Sequence, residues 1–164
     1  MEYLYVGKIV NTHGIKGEVR ILSKFKYKSK VLKKYFKIYI GKDRSEEIIN
    51  GYRPHKQFDM ITMDGITNIN DVLKYKGKHI YIKRDDLVLD NGEYLDEDLI
   101  GLDVIMNNEV MGKVVRIDSD IHQDKIVVNR NGTLYLVPYD CDIIKSINLE
   151  EGSITLEYIK GLLD

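Results

Sequence analysis

Apolar and polar residues alternate one by one through much of this chain, and this period of two limits what the chain can fold into. The alternation is clearest in four short stretches, Glu18–Ile21, Lys37–Ile40, Lys125–Val128 and Thr133–Leu136. Successive side chains of a β-strand point to opposite faces, so strict alternation predicts a strand with one buried face and one solvated face. The sequence therefore predicts an all-β fold built from short, half-buried strands.

Turn-forming residues separate the predicted strands. The strongest signal is Asn131–Gly132, which lies between two alternating stretches and fits a type I′ hairpin turn, because that turn needs positive φ at both central residues. Further turn signals occur at Gly41–Asp43, Asp64–Gly65, Asn107–Asn108 and Glu151–Gly152. Helical patterns are few. One helix is predicted over 67–77, with Asn68 as its cap and Gly77 after its end, and a second short one over 157–164.

The segment 83–99 separates two halves of opposite charge. It is acidic and carries turn residues at Asp90–Gly92. Residues 1–85 hold 19 Lys and Arg against 9 Asp and Glu, a net charge of +10, whereas 86–164 hold 6 against 17, a net charge of −11. We predict two small β-barrels or tightly curled sheets with minor helix, comprising an N-terminal domain 1–85, a linker 86–97 and a C-terminal domain 98–164.

This charge division favours two surfaces with different partners, one of them nucleic acid. Codon bias does not explain it, because both halves come from the same genome. Two simpler interpretations stay open: the halves keep the chain soluble by opposite means, or they attract each other.

The usual signatures of enzymes and cofactor sites are missing from the sequence. Gly7, Gly14 and Gly17 fit neither a Walker loop nor a dinucleotide fingerprint, because a strand follows them instead of a helix. The histidines stand far apart in the sequence, and a single cysteine argues against a structural zinc site. We expect no catalytic residue, metal or cofactor.

The composition also indicates where the protein acts. No apolar run approaches the roughly 18 residues that a membrane span requires, and the first residues lack a basic leader. Cys141 has no cysteine partner, so we expect it to be a half-buried thiol in a reducing cytoplasm. The expected protein is cytoplasmic and has no membrane partner.

The stretch Val6–Ile21, VGKIVNTHGIKGEVRI, concentrates polar residues and glycines between two apolar flanks. Glycines allow positive φ and a close approach by a partner's backbone. The neighbouring side chains offer donors to a phosphate or a polar protein surface. An alternative is a hairpin turn whose polar residues face only water. The candidate docking residues are Thr12, His13, Gly14, Lys16, Gly17, Glu18 and Arg20.

This stretch closely resembles the opening of the RimM family of bacterial ribosome maturation factors, in which the pattern G-x-x-x-x-T-H-G-[IL]-[KR]-G-E begins the first barrel. The resemblance continues in order along nearly the whole chain. ITNINDVLKYKGKHIYIKRDDL resembles the end of that family's N-terminal domain. GEYLDEDLIGLDVIMNNEVMGKVVRI and LYLVPYDCDIIKSINLEEGSITLEYIKGLLD resemble the entry and the end of its C-terminal PRC-barrel.

The resemblance implies a fold and a function. The N-terminal domain is expected to be a six-stranded barrel like those of translation factors, followed by the PRC-barrel. The chain is expected to act as a monomeric, non-enzymatic chaperone in late assembly of the small ribosomal subunit. Its expected partners are the subunit precursor, the 3′ domain of 16S rRNA that forms the head, and the head's ribosomal protein number nineteen.

Two departures from the family pattern stand out. The family carries adjacent aromatics in E-Y-Y-W, needed for productive subunit binding, whereas this chain has Tyr94 followed by Leu95 and Asp96. Tyr94 is therefore an expected partner-binding residue, and the contact is either made by Tyr94 alone or weaker here. A proline that usually precedes the final Gly-Leu-Leu is also absent.

A lysine-rich stretch, residues 24–37, follows the candidate loop. Its lysines can neutralise RNA phosphates, and exposed aromatic side chains could stack on unpaired bases. The alternative is that Phe25, Tyr35 and Phe36 belong to the core and the lysines form a solvated rim. We favour the core for the aromatic residues and RNA contact for the lysines. The candidate contacts to the rRNA backbone are Lys24, Lys26, Lys28, Lys30, Lys33 and Lys34.

Two other functions remain open at this point. One is a nucleic-acid-modifying enzyme that uses the loop around His13, residues 13–18, which we call the His13 loop. The other is a regulatory PRC-type module that binds a non-ribosomal protein. Our hypothesis assigns the basic half to rRNA and the acidic half to the basic ribosomal protein, because opposite potentials speed encounter and fix orientation.

Overall fold

The computed structural model describes residues 2–90, 93–119 and 121–164, and the chain divides into two compact units, Met1–Val88 and Leu89–Asp164. Asn91 and Gly92, which belong to the turn predicted at Asp90–Gly92, lie outside the described residues. Both units consist of strands with little helix, as the sequence predicted. None of the helices among the described residues has the length and apolarity that crossing a bilayer requires.

The first unit is a closed six-stranded barrel in which all neighbouring strands are antiparallel. The order of the strands is β1-β2-β5-β4-β3-β6, so the last strand closes the barrel by pairing with the first. Closure leaves no free sheet edge. The strands are β1 (Tyr3–His13), β2 (Glu18–Leu22), β3 (Lys37–Ile40), β4 (Ser45–His55), β5 (Phe58–Met63) and β6 (His79–Lys83).

The alternation noted in the sequence fills the barrel. Ile38 and Ile40 of β3 and Ile80 and Ile82 of β6 are fully buried, and Tyr81 between the last two is half-buried, whereas Tyr39 on β3 is itself covered. A short helix, α1 (Lys28–Val31), follows β2 and buries Val31.

The second unit is a six-stranded sheet in the order β10-β9-β8-β7-β12-β11. Among its described strands, β12 and β7 pair in parallel and the other neighbours are antiparallel. Hydrogen bonding between the described residues leaves the sheet open between β10 and β11, around a core that includes Leu99, Val104 and Ile126. The elements are α2 (Asp96–Leu99), β7 (Asp103–Met106), β8 (Glu109–Ser119), β9 (Asp124–Arg130), β10 (Thr133–Pro138), β11 (Ile144–Asn148) and β12 (Ser153–Leu156).

Several local predictions are confirmed and others are wrong. Asn131 (φ 53°) and Gly132 (φ 89°) form the predicted hairpin turn between β9 and β10. The helix predicted over 67–77 is instead two 3-10 helices, Ile69–Asp71 and Leu73–Tyr75, although the Asn68 side chain does accept a bond from the Asn70 amide. The bonds within the segment run from residue i+3 to residue i, as in Val72 N to Ile69 O and Tyr75 N to Val72 O, and both ends of the segment bond to the first hairpin, by Ile69 N to Ile15 O and Gly77 N to Ile9 O.

The end of the chain is not the helix predicted over 157–164. The Glu157 amide donates to Ile143 O, and the Arg130 guanidinium donates to Leu163 O, so both ends of the segment bond to other parts of the second unit, while within it Leu162 N donates to Ile159 O in a single turn. Leu163 is fully buried there. The Cys141 prediction is also wrong, because its thiol is exposed.

Candidate docking site

The β1–β2 hairpin presents the predicted loop in a fixed conformation. His13 and Glu18 are the last paired residues, and the residues between them turn with Gly14 at φ 70° and Gly17 at φ 93°. Gly17 is buried, and a Cβ there would lie 3.2 Å from the Ile66 side chain. The Ile15 carbonyl accepts a hydrogen bond from the Ile69 amide at 2.9 Å, which braces the loop against the segment after β5.

Arg20 orients His13. The Arg20 guanidinium donates from Nη2 to Nδ1 of His13 at 2.9 Å and stacks 5.6 Å from the centroid of the Phe58 ring. An arginine can only donate, so Nδ1 of His13 is the acceptor and the neutral ring carries its proton on Nε2. The buried Nε of Arg20 has no hydrogen-bond partner among the described residues.

Glu18 is held by a residue from the neighbouring hairpin. Both its carboxylate oxygens accept from Arg53, at 2.9 and 2.7 Å. This hydrogen-bonded pair lowers the pKa of Glu18 against the opposing effect of burial, and it raises the pKa of Arg53. Such a fork fixes geometry more than it adds stability at an exposed site.

His55 completes the cluster, at the end of β4. Its ring centroid lies 5.8 Å from that of His13. Burial lowers the pKa of His55 most, and the positive charges of Arg53, Lys56 and Arg20, together with His13, lower it further. The free site therefore favours a neutral His55.

Three of these residues were missed by the sequence analysis: Arg53, His55 and Phe58. They surround the tight β4–β5 turn, where Lys56 adopts φ 56°. The signal that could have found them is RPHKQF, a basic turn flanked by an imidazole and an aromatic ring. Its register against β2 is not readable from one sequence.

The structure brings most of the predicted docking residues together. His13, Glu18 and Arg20 are half-buried on one face of adjacent strands, and Lys16 is exposed at the loop tip. Thr12 pairs with the buried Val19, so its side chain lies on the opposite face of the hairpin. A surface cavity of about 400 Å³ lies beside the loop and is lined partly by His13 and Lys16. Ile15, 78% exposed at the same tip, adds an apolar contact point that the sequence analysis did not single out.

Tyr94 belongs to the second unit. Its side chain packs against that unit's core, and its ring centroid lies 6.3 Å from that of Tyr139. Leu95, which replaces the expected second tyrosine, is buried at 7% exposure, whereas Asp96 begins α2 and is exposed.

The residues of the lysine-rich stretch differ in their exposure and in the contacts they make. Lys28 forms an ion pair of 3.0 Å with Asp59, whose side chain is 4% exposed, so this lysine serves the barrel itself. Lys30 is half-buried. Tyr35 is 77% exposed, contrary to the expected core position, while Phe25 and Phe36 are half-buried. The exposed lysines of the predicted set are Lys24, Lys26, Lys33 and Lys34.

Within the described residues, one group of three side chains gathers at metal-ligand distances, Asp140, Cys141 and Asp142. It lies in the second unit and contains none of the predicted docking residues. Exposed acidic clusters of this kind are common on protein surfaces without any metal.

Comparison with known proteins assigns the chain to a family. A model described as the RimM N-terminal domain matches residues 4–87, and one described as the RimM PRC barrel domain matches residues 96–162. The chain belongs to the RimM family. Thr12, His13 and the other residues of the hairpin fall within the first RimM match, whereas Tyr94 falls between the two.

Curated RimM proteins are similar to this chain over its full length. Each of three relatives is named "Ribosome maturation factor RimM". The relative from Exiguobacterium sp. is 36% identical over 100% of this chain and 98% of its own. Those from Staphylococcus haemolyticus and Ligilactobacillus salivarius are 39% and 42% identical over at least 97% of each chain. A crystal structure of a putative 16S ribosomal RNA processing protein RimM from Pseudomonas aeruginosa, 21% identical, covers 96% of this chain and 98% of that chain with a TM-score of 0.44.

Proposed function

We propose that this chain is a cytoplasmic, monomeric assembly factor that binds the immature head of the small ribosomal subunit and catalyses no reaction. Its first unit contacts the 3′ domain of 16S rRNA, and its second unit binds the head ribosomal protein number nineteen. The names of its full-length relatives, which are ribosome maturation factors, support this proposal.

The observation that carries the proposal is the geometry of the His13 loop. Two titratable groups of the loop are both engaged: Nδ1 of His13 accepts from Arg20, and the Glu18 carboxylate accepts from Arg53. A general base needs a lone pair directed at its substrate. The same bonds hold these polar side chains in fixed positions, with Lys16 and Ile15 exposed at the tip of the loop. A fixed surface of this kind suits docking.

Charge supports the division of labour between the units. Residues 1–85 carry the net positive charge that a phosphate backbone attracts, and 86–164 carry the negative charge that a basic ribosomal protein attracts. The mechanism is one of binding. A factor that binds only the correctly arranged head lowers the free energy of that arrangement relative to misassembled ones.

Sedimentation with small subunits tests the proposal. The tagged full chain is expected to co-sediment with precursor particles more than with mature subunits, and binding is expected to weaken as salt rises. His13→Ala and Lys16→Gln should each weaken this binding. Lys76→Gln, an exposed lysine on the segment after the 3-10 helices, is the matched control and should bind normally.

The catalytic alternative predicts a different result for the same variant. If His13→Ala kept its affinity for the precursor but lost the turnover of a nucleotide or RNA substrate, the loop would be an active site. A chain that ignores precursor particles at low ionic strength would favour a regulatory module with a non-ribosomal partner.

The assignment of partners to units has its own test. Fragments 1–88 and 89–164, each checked for a folded state by circular dichroism, are used to capture the purified ribosomal protein. Capture by 89–164 alone is expected. Capture by 1–88 alone would reverse the assignment.

A further inference from the structure

Aromatic residues cover the outer face of the barrel where β1 and β6 pair. The pairing sets Tyr5 opposite Tyr81, Lys8 opposite His79 and Tyr3 opposite Lys83, while Leu4, Ile80 and Ile82 point into the core. We call Tyr3, Tyr5, His79, Tyr81 and Arg44 the β1–β6 aromatic face. The outward positions of a half-buried strand are ordinarily polar, so this concentration of rings calls for an explanation.

The rings hold one another at fixed angles. Tyr5 meets His79 edge to face, with centroids 5.1 Å apart and planes 82° apart, and meets Tyr81 at 5.9 Å and 72°. Tyr5 nevertheless remains 50% exposed, and His79 is exposed as well. Tyr39, on the neighbouring strand, is only 4% exposed, so its ring packs within the barrel wall and is not accessible to a partner. The face therefore offers two oriented rings to a partner.

Arg44 adds a flat cation to the same face. Its Cζ lies 3.8 Å from the ring centroid of Tyr81 and 5.0 Å from that of Tyr3, and its Nη1 donates to Gly41 O at 2.8 Å. These contacts immobilise the guanidinium plane before any ligand arrives. A stacked guanidinium is a surface on which bases also stack.

Lysines border the face without internal partners. In the described part of the chain, Lys8, Lys42 and Lys78 are exposed and form no ion pair. A cavity of about 460 Å³ opens between the turn after β3 and the start of β6, with Lys42, Lys78 and His79 in its lining. One carboxylate, Asp43, also lines this cavity, and it accepts a hydrogen bond from the Ser45 hydroxyl at 3.1 Å.

We propose that the β1–β6 aromatic face binds a short unpaired segment of RNA, with bases stacked on Tyr5 and His79 and phosphates neutralised by Lys8, Lys42 and Lys78. Rings bordered by unpaired cations match the chemistry of single strands, whose bases expose both π-faces. A duplex hides those faces and offers only its backbone. The inference rests on the RNA binding proposed above for the first unit, but it concerns a set of residues separate from the His13 loop.

Fluorescence anisotropy of the full chain with a labelled ten-nucleotide unpaired RNA tests this proposal. The chain should bind the single strand more tightly than a duplex of the same length. Tyr5→Ala should weaken this binding about tenfold, as the loss of one base–aromatic stack does. Tyr5→Phe keeps the ring and should bind as the wild type does, which separates stacking from any loss of fold.

Further variants complete the design. Tyr158→Ala removes a ring of matched exposure, 52%, in the second unit and should leave binding unchanged. Lys42→Gln and Lys78→Gln should each reduce the slope of log K against log salt by about 0.7.

The outcomes separate the two proposals. Equal affinity for single strand and duplex, or unaltered binding by Tyr5→Ala, overturns this inference and leaves the docking function of the His13 loop standing. Normal oligonucleotide binding by a chain that ignores precursor particles would instead overturn the assembly function and keep the stacking site.

Discussion

Arg20 and His13 face each other across adjacent strands, and Nη2 of Arg20 donates to Nδ1 of His13 at 2.9 Å. A guanidinium cannot accept a hydrogen bond, so this contact selects one tautomer of the neutral imidazole. We predict that heteronuclear NMR at pH 8 finds the proton of His13 on Nε2. Arg20→Met should give a mixture of tautomers, whereas Lys8→Met, a cation of the same barrel whose side chain makes no contact with the His13 ring, should not. A proton on Nδ1 in the wild type would contradict the arrangement.

The two glycines of the loop should respond differently to alanine. Both have positive φ, which costs an alanine about 1 kcal/mol or more, but only Gly17 also lacks room, with Ile66 Cγ2 at 3.2 Å from a Cβ. Gly14→Ala should lower the free energy of unfolding by about 1 kcal/mol and Gly17→Ala by about 2 kcal/mol or more. Urea unfolding followed by circular dichroism measures both, and equal losses would show that the contact beneath Gly17 is unimportant.

Lys28 should behave as a structural residue. Its ammonium pairs with Asp59, and the other oxygen of that carboxylate accepts from Tyr52 at 2.6 Å. Burial, and then this hydrogen bond, raise the pKa of Tyr52 to about 12. Lys28→Gln leaves a nearly buried carboxylate without its counter-charge and should cost about 1 kcal/mol of stability, a value reduced because the lysine is itself 41% exposed. Lys33→Gln, at an exposed position, is the control and should cost nothing measurable in urea unfolding.

His55 should make the stability of the first unit depend on pH. Burial and the surrounding cations lower its pKa in the folded state below the ordinary 6.5. The unfolded chain therefore binds this proton more readily, so the folded state loses stability as the pH falls below about 6.5. The difference in urea midpoint between pH 7.5 and 5.5 should shrink in His55→Gln. An unchanged difference would mean that the pKa of His55 is the same in the folded and the unfolded state.

Glu18 should act in the opposite pH range. Its folded pKa is lowered from 4.5 by Arg53, so its stabilising contribution is present above that value and is lost as the pH falls through the folded pKa. Glu18→Gln should therefore differ from the wild type at pH 6 and converge with it at strongly acidic pH. Urea unfolding at the two pH values measures the difference, and an equal difference at both would contradict the prediction.

Leu95 should be a core residue rather than a contact residue. It is 7% exposed, so Leu95→Ala should lower the stability of the second unit by about 2–4 kcal/mol, through lost burial and the cavity left behind. Asp96→Ala, on the exposed neighbour, should not. If Leu95→Ala left the unfolding transition unchanged but abolished precursor binding, Leu95 would be part of the docking surface after all.

The strands were predictable because their signal is local. Lys37–Ile40 was predicted and observed with the same bounds, and the Asn131–Gly132 turn needed only its own dihedral requirements. The prediction of a helix over 67–77 was wrong in type, since the segment forms 3-10 helices, and its bonds to residues 9 and 15 are contacts that no local pattern reports. Tyr35 was misplaced because an aromatic ring beside lysines is equally consistent with core and surface.

The residues of the candidate site were likewise predicted only in part. The β1–β2 residues Thr12, His13, Glu18 and Arg20 were found together because they are contiguous in the sequence. Their partners Arg53, His55 and Phe58 come from a hairpin more than thirty residues away and were missed. Contacts of this kind depend on strand register, which one sequence without an alignment does not fix.

The bracing of the His13 loop by Ile69, and the closure of the barrel by β6, carry a consequence for synthesis on the ribosome. A nascent chain that has emerged only as far as β5 can make neither contact. Contacts between residues so distant in sequence form late and slowly. The proposed docking surface would thus form only after most of the first unit has left the ribosome that translates it, so a truncated product would carry the sequence of the His13 loop without its folded conformation.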